Sequence, residues 1–502
     1  MILIEDLTSF VVSLLIGIIG LNLVFFLFVL WRRLTRQRFF KEKDSAKARF
    51  RPVVENLLSG KLTVEQAIVV LSRGTSEAEK DAIWSLLSGF YVEGRQKCTL
   101  VLYGLGRVEE WSREAFGRKR TAELLDMIKN NRPYTPPAKD ILGPRALNKL
   151  KMKSVPKALA VDNLAQLTPE WAFVFCAEGL LDPGMEVRVM AMRGLGKTKL
   201  RPALPHLFRE MERCIMEKSD LSLRGVKTAL IEFGIDDLVS YTPYLTHANP
   251  RFRFFVVDSA REICNRAAIG GVLNKNDFSP EFCEAVLGHS AVDSFSDVRA
   301  RAASIVKHFR DKRAVETLRN LLADENEFVR LHAVRACADR YYVELIPEVT
   351  KLMKDPKWRV RESAAKALAE IGGGLSDLYS EFITTSDLYE SEQIAEQIQR
   401  GGLMPHIIAE LHEGGESRNR AFAVCQKFAV LGKSSLLSMI LSAPELGDDV
   451  RVQIIQALSI APSAPFRTAL QSVMKQNPSQ VLAQAASTAL KARAAQSAGG
   501  TA

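Results

Sequence analysis

From residue 188 onward an arginine returns along this chain at intervals close to 31 residues. Arg188, Arg224, Arg253, Arg299, Arg330 and Arg361 are separated by 36, 29, 46, 31 and 31 residues. A further 31 lands on Glu392, Arg420 follows 28 later, and Arg451 and Leu482 each come 31 after the position before. Each copy has similar surroundings: Asp or Asn, then Val-Arg or a close variant, then an alanine-rich stretch, then Gly. The clearest copies begin at Asp182, Ser296, Glu325 and Asp355, and fainter ones at Asp220, Asn249, Glu416, Gly447 and Asn477. A period of this length marks a repeat array, in which each unit packs only on its neighbours. Such an array accommodates 502 residues without one oversized core.

Within one period the apolar spacing reads as two helices. In Lys312–Ala323, residues Ala314, Val315, Leu318, Leu321 and Leu322 fall on one helical face. A polar turn, Asp324–Glu327, follows, and Phe328, Val329, His332, Ala333 and Ala336 open a second helix. An Asp or Asn at the turn is placed to cap that helix. Pro183, Pro250, Pro356 and Pro478 suit its first turn, where no amide donor is needed. Gly196, Gly234, Gly372 and Gly432 near the end of the second helix are expected to supply a left-handed stop. Small side chains dominate and aromatic content is only 8%, as close helix packing prefers. The expected fold class is an all-α superhelix.

This D-x(3–4)-V-R-x-x-A-x-x-A-L-x-x-[IL]-G pattern resembles HEAT repeats, in particular the short type grouped with phycobilisome-lyase-like repeats. The resemblance covers about Val155 to Gln496. It is strong at Asp182–Gly196 and Asp297–Gly373 and weak at Leu375–Gly402. It implies a ladder between successive repeats built from the turn aspartate and the helix arginine, giving Asp182/Arg188, Asp297/Arg299, Asp324/Arg330 and Asp355/Arg361. Those residues are then structural. The whole chain is also similar to bacterial proteins with one N-terminal span, a basic flank and a HEAT array, some of which resemblance associates with membrane glycosyltransferases.

Phe10–Leu30 is an uninterrupted apolar run of 21 residues, about 31 Å as a helix and close to the thickness of a bilayer's hydrocarbon core. Glu5 and Asp6 precede it, and Trp31 and a basic stretch follow. A cleavable signal has the opposite charge order, a shorter apolar stretch and a small-residue cleavage site. The expectation is an uncleaved single-pass anchor in the inner membrane, with the N-terminus outside and the repeats cytoplasmic. Ser9, Ser13, Gly17 and Gly20 fall on one face with Asn22 nearby, a pattern that admits close approach of a second membrane helix and oligomerisation through it. The alternative is that small residues are merely tolerated there and Asn22 bonds locally.

The net charge of +10 is concentrated in two places. Arg32–Arg51 holds nine Lys/Arg against two acids, and Ser112–Lys157 holds twelve against four. Outside them the chain nets slightly negative. A nucleic-acid binder would spread its cations along the binding surface, so this distribution argues for a membrane surface instead. Arg32, Arg33, Arg36, Arg38, Lys41 and Lys43 form the flank that would meet anionic lipid headgroups, besides setting topology. Beyond the ladder, second helices carry Arg301, Lys307, His332, Arg335, Arg359 and Lys366, a candidate groove for an acidic protein segment.

Two interruptions are visible. Residues 131–154 are Pro-rich and then basic, with Lys149, Lys151 and Lys153, and separate a membrane-proximal helical region (52–130) from the array (155–496). The 46-residue interval before Arg299 points to an insertion at Ala268–Pro280. The full division is then an N-terminal segment with the span (1–31), a juxtamembrane stretch (32–51), the membrane-proximal region, the linker, the array, and a tail (497–502).

Catalytic signals fail on their spacing. Gly194–Thr198 reads GLGKT, but a phosphate loop needs glycine at position 191, which is alanine, and a preceding strand. Gly104-Leu105-Gly106 has Glu109 where a dinucleotide fingerprint needs glycine. The seven histidines contain no i, i+4 pair, and only His412-Glu413 matches the His-Glu pairs of HEAT-type iron hydroxylases. Seven scattered cysteines with no CxxC argue against disulfides and a zinc site. The expected function is a membrane-tethered protein-interaction scaffold, serving a cell-envelope or glycosyltransferase assembly, with no catalytic residues, metal or cofactor. The rivals are a repeat-fold lyase-like enzyme and a HEAT-like nucleic-acid binder.

Overall fold

In the computed structural model, described here for residues 2–74, 76–89, 94–137, 154–271, 278–309, 312–340, 342–371, 373–413, 415–459, 464–475 and 479–498, every regular element is helical. The chain divides into two compact units, Met1–Phe233 and Gly234–Ala502.

The first unit runs α1 (Ile2–Leu58), α2 (Val64–Leu71), α3 (Glu77–Gly89), α4 (Arg95–Gly104), α5 (Arg107–Phe116), α6 (Arg118–Lys129), α7 (Ser154–Leu164), α8 (Pro169–Gly179), α9 (Met185–Thr198), α10 (Ala203–Met216) and α11 (Asp220–Leu230). The apolar run and the basic stretch are one continuous helix, α1, and its two ends differ. Gly17–Arg38 is exposed on all sides. Further along, Ala46, Phe50, Val54 and Leu57 recur every three or four residues and are buried, packing α1 on α3. Lys43 pairs with Asp81 at 2.6 Å, and Arg49 pairs with Glu79.

Helices α9 and α11 approach very closely. A Cβ on Gly196 would lie 2.8 Å from the Ala229 Cα, so this glycine is there for contact between helices. That corrects its reading as a left-handed stop: Gly196 is inside α9, and the left-handed residue after it is Lys199, φ 53°. Gly234 is extended, φ −98°, while Gly432 is left-handed at φ 80°. Gly372 lies outside the described residues.

The second unit is a row of helical hairpins. A 3-10 segment (Ile235–Tyr244) pairs with α12 (Pro250–Ile269), and α13 (Pro280–Ala285) with a π turn (Val286–Ser290) pairs with α14 (Ser296–Val306). Then come α15 (Lys312–Leu322) with α16 (Glu327–Arg340), α17 (Ile346–Lys351) with α18 (Trp358–Glu370), and α19 (Gly374–Thr384) with α20 (Leu388–Arg400). The row continues with α21 (Met404–Glu413), α22 (Gly415–Val430), α23 (Ser434–Leu441), α24 (Asp448–Ser459), α25 (Ala464–Met474) and α26 (Gln480–Ala498). Second helices α12, α14, α16, α18 and α20 lie side by side. Residues 272–277 of the Ala268–Pro280 insertion fall outside the described residues, as does 138–153 of the linker.

Each turn aspartate organises the helix start. Asp293, Asp324 and Asp355 each accept through Oδ1 the amide of the residue two positions on, at 2.8 Å. At Asn249 the side chain caps α12 directly, with Pro250 in the first turn.

A charged ladder and the groove it frames

The ladder arginines reach forward. Arg299 donates Nε and Nη2 to both carboxylate oxygens of Asp324 at 2.7 and 2.8 Å, and Arg330 does the same to Asp355 at 2.7 and 3.0 Å. Arg253 makes this fork with Asp293 at 2.6 and 2.7 Å. The Nη1 of each donates back to the carbonyl before its own helix, as Arg330 to Asp324 at 2.7 Å. The register therefore differs from the within-repeat pairs Asp297/Arg299, Asp324/Arg330 and Asp355/Arg361. The arginine shares only a backbone bond with its own turn, and its carboxylate partner is the next repeat's aspartate. Asp293 holds the turn position and Asp297 only the first turn of α14. In the first unit, Arg188 pairs with Glu210 and Glu217, both at 2.9 Å, while Asp182 pairs with Lys157 at 3.0 Å. Arg361 ends the series. Its Nη1 donates to the Asp355 carbonyl at 2.8 Å, and its guanidinium lies over the Tyr389 ring. The next turn position, 31 residues after Asp355, is Ser386, which has no carboxylate.

Such bidentate, half-buried pairs are strong and directional. Burial opposes the charge on Asp324, but the Arg299 fork and the Asn326 amide outweigh it and hold the carboxyl below its usual range. The fork to Asp355 raises Arg330 further above its ordinary value.

The rung from Arg330 to Asp355 joins α16 to α18, and a groove of about 730 Å³ lies between those helices. From α16 it takes Phe328, Leu331, His332, Arg335, Ala338 and Asp339, which is one face over three turns. From α18 it takes Trp358, Arg359, Glu362, Ser363, Lys366 and Glu370. Phe328 and Trp358, each 47% exposed, bound one end and enclose a smaller cleft of about 240 Å³ floored by Leu331. Exposed Phe295 and Tyr389 stand near the starts of α14 and α20, so an aromatic recurs at this edge on the array's own beat. The aromatics are visible in the sequence, where Phe328 reads only as part of the second helix's apolar face.

Three of the five expected groove cations, Arg335, Arg359 and Lys366, line the cavity. Arg301 and Lys307 do not. Arg301 pairs with Asp258 at 3.1 Å and Lys307 with Asp339 at 2.6 Å. The Arg359 guanidinium lies over the Trp358 ring. His332 lines the groove but is half-buried among cations. Burial first, then Arg301 and Arg335, pull its pKa down to about 4.

On the exposed part of α1, Gly17 and Gly20 have open space beside them, and Asn22 Nδ2 donates to the Ile18 carbonyl at 2.9 Å. The side chains of Ser9 and Ser13 lie outside those described. In the Pro-rich segment, the Tyr134 hydroxyl donates to Glu178 at 2.9 Å, beside the ion pair of Arg120 with Glu178 at 2.8 Å. Residues 131–137 are thereby strapped onto α8, a hook that nothing in their proline content announces.

Residues 284–369 match a family model described as HEAT repeats. No curated protein matches the chain in sequence. Among solved structures it is similar to the karyopherin Kap121p bound to the extreme C-terminus of the protein phosphatase Cdc14p, with 13% identity and a TM-score of 0.37 over 90% of this chain and 56% of that one. The same karyopherin bound to the SUMO protease Ulp1p gives 13% identity and 0.36, over 89% and 56%. An engineered protein gives 15% and 0.30, over 82% and 99%. Scores of this size leave the reading of this chain to its own residues. The class shown is an all-α protein of repeated helical hairpins, of which residues 284–369 match HEAT repeats.

Proposed function

We propose that the protein is a membrane-anchored docking scaffold, in which the groove between α16 and α18 holds a segment of a protein partner. The observation that carries this reading is the exposed pair Phe328 and Trp358 at the mouth of a groove whose walls are locked by a bidentate ion pair. Exposed aromatics beside cations are the usual anchors of protein recognition, and locked walls reduce the ordering cost of binding. A non-catalytic role is supported by the state of the reactive side chains. Burial pushes the thiols up, Cys98 to about 11 and Cys337 to about 12. His308, buried against Asn265 and Arg340, is drawn down to about 3.

The anchor reading rests on α1. Among the described residues it is the one helix long and apolar enough to cross a membrane, and its apolar window is wholly exposed. With Leu30 at the hydrocarbon edge, Arg32, Arg33 and Arg36 stand about 3–9 Å beyond it, within or next to the headgroup layer. Arg38, Lys41 and Lys43 fall about 12–20 Å out, and Lys43 is already paired with Asp81. The first three then hold anionic headgroups. The first buried residue, Ala46, is about 24 Å from Leu30, so a bare helical stalk separates the packed part of the first unit from the bilayer. The basic side of the span is the cytoplasmic one.

A photo-crosslinking residue at position 328, compared with one at exposed position 481, tests the reading in intact cells. The expected result is one partner captured from 328 in the membrane fraction and not from 481. Identical capture from both positions, or full-length protein recovered in the soluble fraction, overturns it.

A further inference from the structure

We infer that the groove recognises an extended, acidic segment in which a large apolar anchor and a carboxylate stand three residues apart. This rests on the docking reading above and names the chemistry of the occupant.

The groove is graded along its length. At one end the cleft between Phe328 and Trp358, about 240 Å³, suits a single large apolar side chain. Arg335 follows Phe328 by seven residues on the same face of α16, two turns or about 10.5 Å up the axis. Lys366 follows Trp358 by eight on α18, about 12 Å up. The two cations thus stand at nearly the same height on opposite walls. An extended chain in the polyproline II conformation advances about 3.1 Å per residue with about three residues per turn, so residues three apart share a face and span about 9 Å, close to that interval. A helical segment covers only about 4.5 Å in three residues and does not.

The charges complement an acid at that height. Other cations around the groove are engaged: Arg301 with Asp258 and Lys307 with Asp339. Arg335 and Arg359 have no carboxylate partner among the described residues. Lys366 meets Glu370 only at 3.8 Å and both are exposed, a contact too long for a hydrogen bond and worth little. Lys366 can therefore turn to a ligand. Glu362 and Glu370 also line the groove and offset part of this excess, Asp339 is taken up by Lys307, and His332 adds no charge near neutrality. Between the walls the floor is small and smooth, with Ala338, Ser363 and Ala367, so a backbone can lie close.

The test is selection of displayed random 12-residue peptides on the full chain held in lipid nanodiscs. The wild type is run beside Trp358→Ala and the double variant Arg335→Glu/Lys366→Glu, each first checked for native helicity. Wild-type protein should enrich peptides with an aromatic or large aliphatic residue three positions from Asp or Glu. Exchanging that acid for lysine in a selected peptide should weaken binding at least tenfold. On the double variant the preference should reverse to lysine or arginine, and Trp358→Ala should abolish both enrichments. Absence of binders, enrichment without the acid, or a preference unmoved by the double variant overturns the inference. Partner capture from position 328 that persists in that case leaves the docking reading standing and discards only this motif.

Discussion

The repeats from α12 to α18 and those from α19 to α26 are built from the same helical hairpin, yet among the described residues only the first set carries arginines forked forward onto the next turn's aspartate. In the second, Arg420 forks onto Glu410 and Lys433 pairs with Glu392. Where the rungs stop, the acceptor goes first: Ser386 stands where Arg361 would meet its aspartate, and Glu392 then replaces the next arginine. The hairpin survives the loss. Asp387 caps α20 by accepting the amides of Tyr389 and Glu390, and Ile394, Ala395 and Ile398 fill its buried face. The motif that makes this chain readable therefore marks how repeats are joined, while the apolar spacing alone makes the repeat. The groove also lies where a rung joins its two walls.

Breaking a rung should show the largest effect. Asp355→Ala leaves Arg330 half-buried with only carbonyl partners and removes the turn bond to Lys357. Loss of about 3 kcal/mol is expected, since an orphaned charge costs more than the pair contributes. Hydrogen exchange over residues 327–370 should accelerate well beyond that over residues 404–459. Uniform acceleration would mean that the rung is not a local clamp.

The first unit offers a contrast without a ladder of this kind. Gly196→Ala places a methyl 2.8 Å from the Ala229 backbone, which overpacking data put at about 1–3 kcal/mol. Chemical denaturation should report it in the first unit. An unchanged midpoint would show that α9 and α11 separate freely.

Acid should act on the rung-bearing repeats first. His308 is held neutral, with its pKa drawn down to about 3 by burial and by Lys307 and Arg340, against Asp339. Its unfolded form takes up a proton below about pH 6.5 and the folded form does not, so its contribution is present above that pH and is lost as pH falls. The depressed Asp324 adds a second loss on approach to pH 4 and below. Melting temperature measured from pH 7.5 to 4.5 should decline steadily, and His308→Gln should flatten the upper part. A flat wild-type profile would contradict the buried neutral histidine.

Installing a rung should produce a small gain. Ser386→Asp offers Arg361 the carboxylate that its predecessors have, for about 1 kcal/mol. Slower exchange over residues 374–400 would confirm the ladder as a transferable device, and faster exchange would point to repulsion from Asp387.

The hairpin Lys312–Leu322 with its capped partner, the exposed apolar helix and the burial of most cysteines were all legible in the sequence. The rung partners were not, because a period says which positions are equivalent and nothing about whether a side chain reaches forward or back. A glycine's purpose was equally hidden: Gly196 and Gly432 look alike in the pattern, but one makes room for a helix and the other turns a chain. The groove was half visible. Its cations stood out in second helices, whereas the matching of Arg301 and Lys307 by Asp258 and Asp339 depends on neighbours 43 and 32 residues away.

The most direct test separates stability from docking at the groove mouth. Phe328→Ala/Trp358→Ala removes two exposed side chains and should move the melting temperature little, as surface changes do. Quantitative in-cell crosslinking from a probe at position 335 should then show the partner lost by at least tenfold. Undiminished capture by a folded double variant would contradict the assignment of this groove as the docking site.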